Sequence, residues 1–380
     1  MEFKSKKSKM EFDIFKLHDD LIDIGNQSWI CFYGPNLSEI IDELKKEHNL
    51  SDKQLARVIA KKVGCKSWTP EQVLWKKKKW IPIPLLNVLI EMSDSSDEFK
   101  RKIQEDVSLI KCNSATSKPI KAVKELSLDI CKIAGAHAGD GNLHNTFGIE
   151  IKDRSLKDEI LDDLKKDYPH SKIFKTRDRM RIKIKNVNPK LILSLLDKYK
   201  DITFWFTYGI NVTEGYEDNL KAFSRWIKNV FDIEVKVKKH GTKKAWRVDF
   251  DNKIIARYFM RFFDFPADAK TYIVEEPRVI RNAPLEYRQA FLLGLMTFEG
   301  YTPCRQKGVG FSSKSKMLAD SVYEIMIKSD IPVKQVKKDN YDRFICDSRT
   351  LYGEDLEKAL NVFERDTEKW FRIKRSLERN

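Results

Sequence analysis

Cysteine is scarce and scattered, with six residues at 31, 65, 112, 131, 304 and 346, no two of them in a CxxC pair. That spacing excludes a zinc ribbon, offers no disulfide framework and implies reduced thiols. Histidine is equally sparse, at 18, 48, 137, 144, 170 and 240, with no HExxH or similar spacing. No apolar run reaches the roughly 18 residues needed to span a bilayer. The basic start, Met1-Glu-Phe-Lys-Ser-Lys-Lys, has no apolar stretch behind it, which argues against a secretory signal. Acid is also in deficit: 57 Asp and Glu face 72 Lys and Arg, a formal charge of +15. An excess of this size implies a polyanionic partner, and with no membrane signal the expected polyanion is nucleic acid. The expectation is a soluble, cytoplasmic protein associated with the nucleoid.

At about 100–200 residues per domain, 380 residues suggest two or three domains. Residues 36–93 read as a helical bundle. Leu37, Ile40, Ile41 and Leu44 share one helical face. Ser51 and Gln54 have capping-box spacing ahead of an apolar stripe of Leu55, Ala56, Val58 and Ile59. Gly64 supplies a turn, and Thr69-Pro-Glu-Gln72 starts a further helix that runs into Lys76-Lys-Lys-Lys79. Leu85, Leu86, Val88 and Leu89 mark another helix, and residues 94–109 a polar one. Two short capped helices about a glycine resemble a repressor-type helix-turn-helix. Gln72 would then meet base edges, and Lys76 and Lys77 would meet phosphates. Residues 1–109 are therefore expected to form an all-α, DNA-binding domain. Residues 110–122, with Lys111, Lys118 and Lys121 and no acid, read as a basic linker.

Two stretches share a pattern. Ile133-Ala-Gly-Ala-His-Ala-Gly-Asp-Gly141 aligns with Leu292-Leu-Gly-Leu-Met-Thr-Phe-Glu-Gly300: glycine third, acid eighth, glycine ninth. A glycine inside a helix costs stability, so its recurrence at Gly135 and Gly294 implies close approach of two backbones. Gly141 and Gly300 fit the ends of those helices, where the chain turns into a strand. Packing at the inner glycines would set Asp140 and Glu299 side by side. Two acids at negative helix ends repel each other, an arrangement that makes sense around a divalent cation.

The pair resembles the LAGLIDADG motif of homing endonucleases, in the form that carries two motifs in one chain, over roughly residues 120–365. The resemblance implies an α+β fold: two pseudo-symmetric αββαββα halves with saddle-shaped antiparallel sheets, joined to the N-terminal all-α domain. It implies a monomer with internal pseudo-twofold symmetry. It also implies site-specific hydrolysis of double-stranded DNA with Mg²⁺ or Mn²⁺ as cofactor. Asp140 and Glu299 match the catalytic, metal-ligating acids, Gly135 and Gly294 the helix-contact glycines, and Gly141 and Gly300 the closing glycines. Ala136, His137 and Ala138 depart from the family pattern, which has larger apolar residues and often another acid there. A non-cleaving transcriptional regulator that binds DNA, or a splicing maturase whose partner is RNA, are the alternatives on the same scaffold.

Strand and helix patterns recur three times behind the motifs, where two halves need only two copies. The expected division is a first half over 123–280, with an inserted strand-helix-strand unit near 145–200, and a second half over 281–380. The insert would account for the acids standing 299 − 140 = 159 positions apart. In Arg179-Met-Arg-Ile-Lys-Ile-Lys185, Arg179, Arg181, Lys183 and Lys185 fall on one strand face and Met180, Ile182 and Ile184 on the other. Lys236 and Lys238, before a hairpin at Gly241, and Lys337 and Lys338, in the last copy, repeat the theme. Such ribbons suit the major groove. Lys238, Lys337 and Lys338 are the lysines considered for transition-state charge.

Overall fold

Ile30, Cys31 and Phe32 are all fully buried, and they form a strand. In the computed structural model the described residues are 10–20, 22–23, 28–63, 80–114, 117–151, 157–167, 172–175, 180–185, 202–241, 244–266, 270–302, 307–348 and 350–378. They divide into two compact units, one of Glu11–Lys124 and the other of Glu125 onward together with Met10.

The first unit runs β1 (Ile30–Tyr33), α1 (Leu37–Glu47), α2 (Asp52–Lys62), β2 (Ile81–Pro82), α3 (Ile83–Met92), α4 (Ser96–Asp106), β3 (Leu109–Cys112) and β4 (Ile120–Lys121). The capping box of α2 is formed: the Gln54 amide donates to Ser51 Oγ, and the Ser51 amide donates to Gln54 Oε1 at 2.8 Å. In α3, Leu85, Leu86, Val88 and Leu89 are buried. The unit is not all-α, however. Its strands form an antiparallel sheet in the order β2-β1-β3-β4. Nor is 110–122 a plain linker, because its two isoleucines, Ile110 and Ile120, pair across β3 and β4 and are buried. Lysine-rich composition pointed to a linker at 110–122, but one buried isoleucine in each is enough to anchor strands of four and two residues. The expected second helix of the helix-turn-helix, with Gln72, Lys76 and Lys77, lies outside the described residues.

The second unit opens with α5 (Leu128–Gly139), capped by Ser127, whose hydroxyl accepts from the Ile130 amide. Then follow β5 (Gly141–Ile151), α6 (Lys157–Asp167), β6 (Lys172–Lys175), β7 (Met180–Lys185), β8 (Ile202–Glu214), α7 (Glu217–Phe231), β9 (Val237–Lys239), β10 (Trp246–Asp251) and α8 (Lys253–Phe262). These strands form one antiparallel sheet in the order β6-β7-β5-β8-β10-β9. The chain continues through α9 (Arg278–Arg281), α10 (Leu285–Glu299), β11 (Gly310–Ser313), α11 (Lys316–Lys328), β12 (Lys337–Lys338), β13 (Phe344–Asp347), α12 (Gly353–Leu360) and α13 (Glu368–Leu377). Its sheet has the order β11-β13-β12, and Tyr301 bridges to Gly310 beside it.

The six-stranded sheet has β5 and β8 at its centre. β5 pairs with β8 along its whole length, from Gly141 opposite Val212 to Ile151 opposite Ile202, so residues 145–151 belong to the sheet's centre. β7 pairs with β5 on its other side and β6 with β7, extending the sheet beyond β5. The side chains of α7 that face inward, among them Leu220, Phe223, Trp226 and Ile227, are buried, as expected of a helix with one apolar face. At the start of α10, Arg288 makes paired hydrogen bonds to Glu276 (2.8 and 2.7 Å) and to Glu324 of α11 (3.0 and 3.2 Å). Among the described residues, no helix is long and apolar enough to cross a membrane.

Candidate metal centre

The two motif helices, α5 and α10, touch backbone to backbone. A Cβ on Gly135 would overlap the Phe291 carbonyl oxygen and lie 2.7 Å from the Leu295 nitrogen. A Cβ on Gly294 would lie 2.7 Å from the Lys132 carbonyl carbon. Only glycine permits that approach, and the approach brings the two helix ends together. The closing glycines are also explained by space. Gly300 is extended (φ −64°, ψ 153°), and neither it nor Gly141 has a positive φ. A Cβ on Gly141 would lie 2.6 Å from His137 Cα, and one on Gly300 2.5 Å from the Met296 carbonyl oxygen.

Asp140 caps α5, its amide donating to the Ala136 carbonyl, and Glu299 is the last residue of α10. The last turn of α10 is fixed through buried Thr297. Its carbonyl accepts from Asn219 Nδ2 and its hydroxyl from the Glu364 amide, both at 2.8 Å. A third acid joins them. Glu214 ends β8, two positions beyond the Val212 that pairs with Gly141, and its carboxylate accepts from the amides of Gly215 (2.6 Å) and Tyr216 (3.3 Å). Burial, then the Glu299 and Glu214 carboxylates within hydrogen-bonding reach, hold the Asp140 carboxyl well above the usual carboxylate range.

Two lysines hold the carbonyls at the ends of the motif helices. Lys270 Nζ donates to the carbonyls of His137, Ala138 (2.9 Å) and Gly139 (2.5 Å) at the end of α5. Burial pulls its ammonium down to about 8, while Asp140 and Glu299 act in the opposite direction. Lys369 of α13 donates to the Phe298 carbonyl at the end of α10. Burial lowers it too, against the pull of Glu214, Asp140 and Glu299. A cavity of about 320 Å³ opens beside Glu299, with Gly139, Lys270, Ser312, Ser313, Lys314 and Arg343 among its lining residues.

The donor set fits a hard divalent cation. It offers carboxylate oxygens only, and one of them cannot easily carry its charge without added positive charge nearby. His137 takes no part, because its ring is buried against Phe259 (4.7 Å) and Phe265 (4.9 Å). Burial, and secondarily Lys270, push its pKa well below the ordinary value, leaving a neutral packing residue.

The structure thus brings Asp140, Glu299 and the four glycines together. Of the basic ribbon positions, Lys183, Lys236, Lys238, Lys337 and Lys338 are exposed, with Lys183 on β7 next to buried Ile184. Arg181 and Lys185 have their backbones in β7, opposite Glu150 and Thr146. Arg179 lies outside the described residues. Lys238 and Arg247 face each other across the β9–β10 hairpin that turns at Gly241. Lys270 and Lys369 donate to carbonyls at the ends of the motif helices, whereas Lys238, Lys337 and Lys338 lie on β9 and β12. Glu214, Lys270 and Lys369 were not found from the sequence. One signal existed for Lys369, which lies four residues before Ile373 on the buried face of α13.

No family model matches this sequence. It is 20% identical over 220 residues to the probable translation initiation factor IF-2 of Methanocaldococcus jannaschii, a match covering 52% of this chain and 19% of that protein. The chain therefore spans about a fifth of that relative's length. Among solved structures, it is similar to mesophilic variants of the homing endonuclease I-DmoI, at 12% identity and a TM-score of 0.35, covering 62% of this chain and 94% of that one. It is also similar to I-DmoI in complex with DNA and calcium, again at 12% identity and a TM-score of 0.35, covering 65% of this chain and 99% of that one.

Proposed function

We propose that this chain is a site-specific endonuclease of double-stranded DNA, of the two-motif LAGLIDADG kind, that hydrolyses phosphodiester bonds with a divalent ion held by Asp140 and Glu299. One observation carries the proposal: two helices packed backbone to backbone through Gly135 and Gly294 end on one acid each, Asp140 and Glu299. A bound Mg²⁺ or Mn²⁺ would supply charge for the phosphate oxygens and for an attacking water. The protein's part is to fix its carboxylates. The Thr297 hydrogen bonds hold the turn that carries Glu299, and the two backbone amides hold Glu214.

The strand orders support two related halves. In each half three successive strands lie with the last between the other two: β8-β10-β9 in one sheet and β11-β13-β12 in the other. A pseudo-twofold between α5 and α10 would relate them, with the ribbons bearing Lys236 and Lys238 and Lys337 and Lys338 laid along the duplex. The unit Glu11–Lys124 would add a second contact to DNA through a helix-turn-helix whose first helix is α2. The test is selection of cleaved sites from a library of random duplexes in Mg²⁺ or Mn²⁺. Wild-type protein is expected to enrich one site, and Glu299→Gln to cut none. Failure of the wild type to cut any duplex, or retained double-strand cleavage by Glu299→Gln, refutes the proposal.

A further inference from the structure

A second set of metal-ligating side chains lies in the unit Glu11–Lys124. Glu47 is the last residue of α1, His48 is its C-cap, and Asp94 stands in the turn between α3 and α4. One imidazole nitrogen of His48 and one carboxylate oxygen from each acid all lie within 4.8 Å of one another. Nε2 of His48 is buried and, among the described residues, has no hydrogen-bond partner. Two lysines of α1 and α2 are engaged with other acids: Lys45 with Asp42 and Asp52, and Lys62 with Glu91. Two carboxylates thus converge at the negative end of a helix, beside a ring nitrogen withheld from water. That arrangement is unfavourable until a cation joins it.

Both turns fix the backbone that carries these side chains. After α1 the chain turns through Asn49 in the left-handed region (φ 51°), with the His48 amide donating to the Leu44 carbonyl and the Leu50 amide to the Lys45 carbonyl. Asp94 follows buried Ser93, whose amide donates to the Leu89 carbonyl and whose hydroxyl accepts from the Ser95 amide at 3.3 Å. We propose that Glu47, His48 and Asp94 bind Zn²⁺, which ties the α1–α2 turn to the α3–α4 turn. Imidazole suits zinc and its first-row neighbours, whereas Mg²⁺ and Ca²⁺ prefer oxygen alone. Three protein ligands leave the fourth position of a tetrahedral zinc to water. All three belong to one unit, so the ion stabilises that unit whether or not the chain cleaves DNA.

The measurement is isothermal titration of the full chain with Zn²⁺. It is made in a Glu299→Gln parent, which takes the acids of the motif helices out of the readout, and in the same parent with His48→Ala, Glu47→Gln or Asp94→Asn added. The parent is expected to bind Zn²⁺, and to bind it more tightly than Mg²⁺. Each added substitution should weaken Zn²⁺ binding at least about tenfold, the lower end of what is lost when only a ligand's hydrogen-bond partner is removed. Zn²⁺ should raise the melting temperature of the parent and leave that of His48→Ala where it was. Glu47 and Asp94 are exposed, so their variants keep the fold and carry the test should His48→Ala fail to fold. A parent that binds no Zn²⁺, or binds Mg²⁺ as tightly, overturns the proposal. So does an unchanged Zn²⁺ affinity in any one of the three variants that folds.

Discussion

Gly135 and Gly139 sit one helical turn apart on α5, yet substitution should affect them differently. A Cβ on Gly135 meets backbone atoms of α10, which cannot move without separating the helices. Gly135→Ala is expected to cost about 3 kcal/mol, at the upper end of overpacking, and denaturant unfolding would measure it. A Cβ on Gly139 lies 2.7 Å from Glu299 Cγ, part of a side chain that can turn away. Gly139→Ala should therefore spare much of the stability and lose Mn²⁺ binding, with the two readouts separating in one preparation. Asp140 adds a pH effect. Its folded-state pKa is raised, chiefly by burial and then by Glu299, from the ordinary value of 3.8. Above that value the folded state holds a proton that the unfolded state has lost, so this group's contribution to stability falls as pH rises toward the raised value. Metal-free Asp140→Asn should flatten the decline in melting temperature between about pH 5 and about pH 7.5. An unchanged slope would show that the carboxyl is not buried beside its neighbours. At this scale the acids and glycines were legible because one helix fixes their spacing. Glu214, Lys270 and Lys369 were not, because strand pairing and chain return bring them in from remote positions.

Elements were legible where an apolar face was long. The stripe of α7 and the cap at Ser51 follow from local sequence. The sheet of the first unit did not, since its strands are two to four residues long and their partners lie far along the chain. The alternation in β5 resembles that of β7, and only the pairing with β8 shows which strand is central. Another feature invisible to periodicity fixes α10: the buried Arg288, clamped by Glu276 and Glu324. Glu276 is fully buried, so Glu276→Gln should leave guanidinium charge poorly compensated and cost about 3 kcal/mol. Glu324 is half exposed, and Arg288 and Lys328 together hold its carboxyl down to about 2. Glu324→Gln should cost less than about 1 kcal/mol, as exposed ion pairs do. Equal losses in denaturant unfolding would contradict this division.

For the whole molecule, the charge of +15 was the first indication of a polyanion, and it belongs to the chain as a whole. Several of the exposed cations lie on hairpins. Lys236 and Lys238 lie at β9, and Lys337 on β12 opposite Ile345. Like charges crowded on a ribbon repel one another in water, and DNA phosphates would relieve that repulsion by releasing condensed counterions. This yields a quantitative expectation. The logarithm of duplex affinity should fall linearly with the logarithm of salt concentration, and each lysine that meets a phosphate should contribute about 0.9 to the slope. Replacing Lys236, Lys238 and Lys337 together by glutamine should reduce the slope by roughly two to three. It should weaken random and selected duplexes alike, because phosphate contacts position a protein without reading sequence. The midpoint of Mn²⁺ binding should stay at its wild-type value, since these three lysines lie on the ribbons and not at the ends of the motif helices. Fluorescence anisotropy over a salt series measures the slope. A triple variant with the wild-type slope would remove the ribbons from the binding surface and leave the +15 to be explained elsewhere.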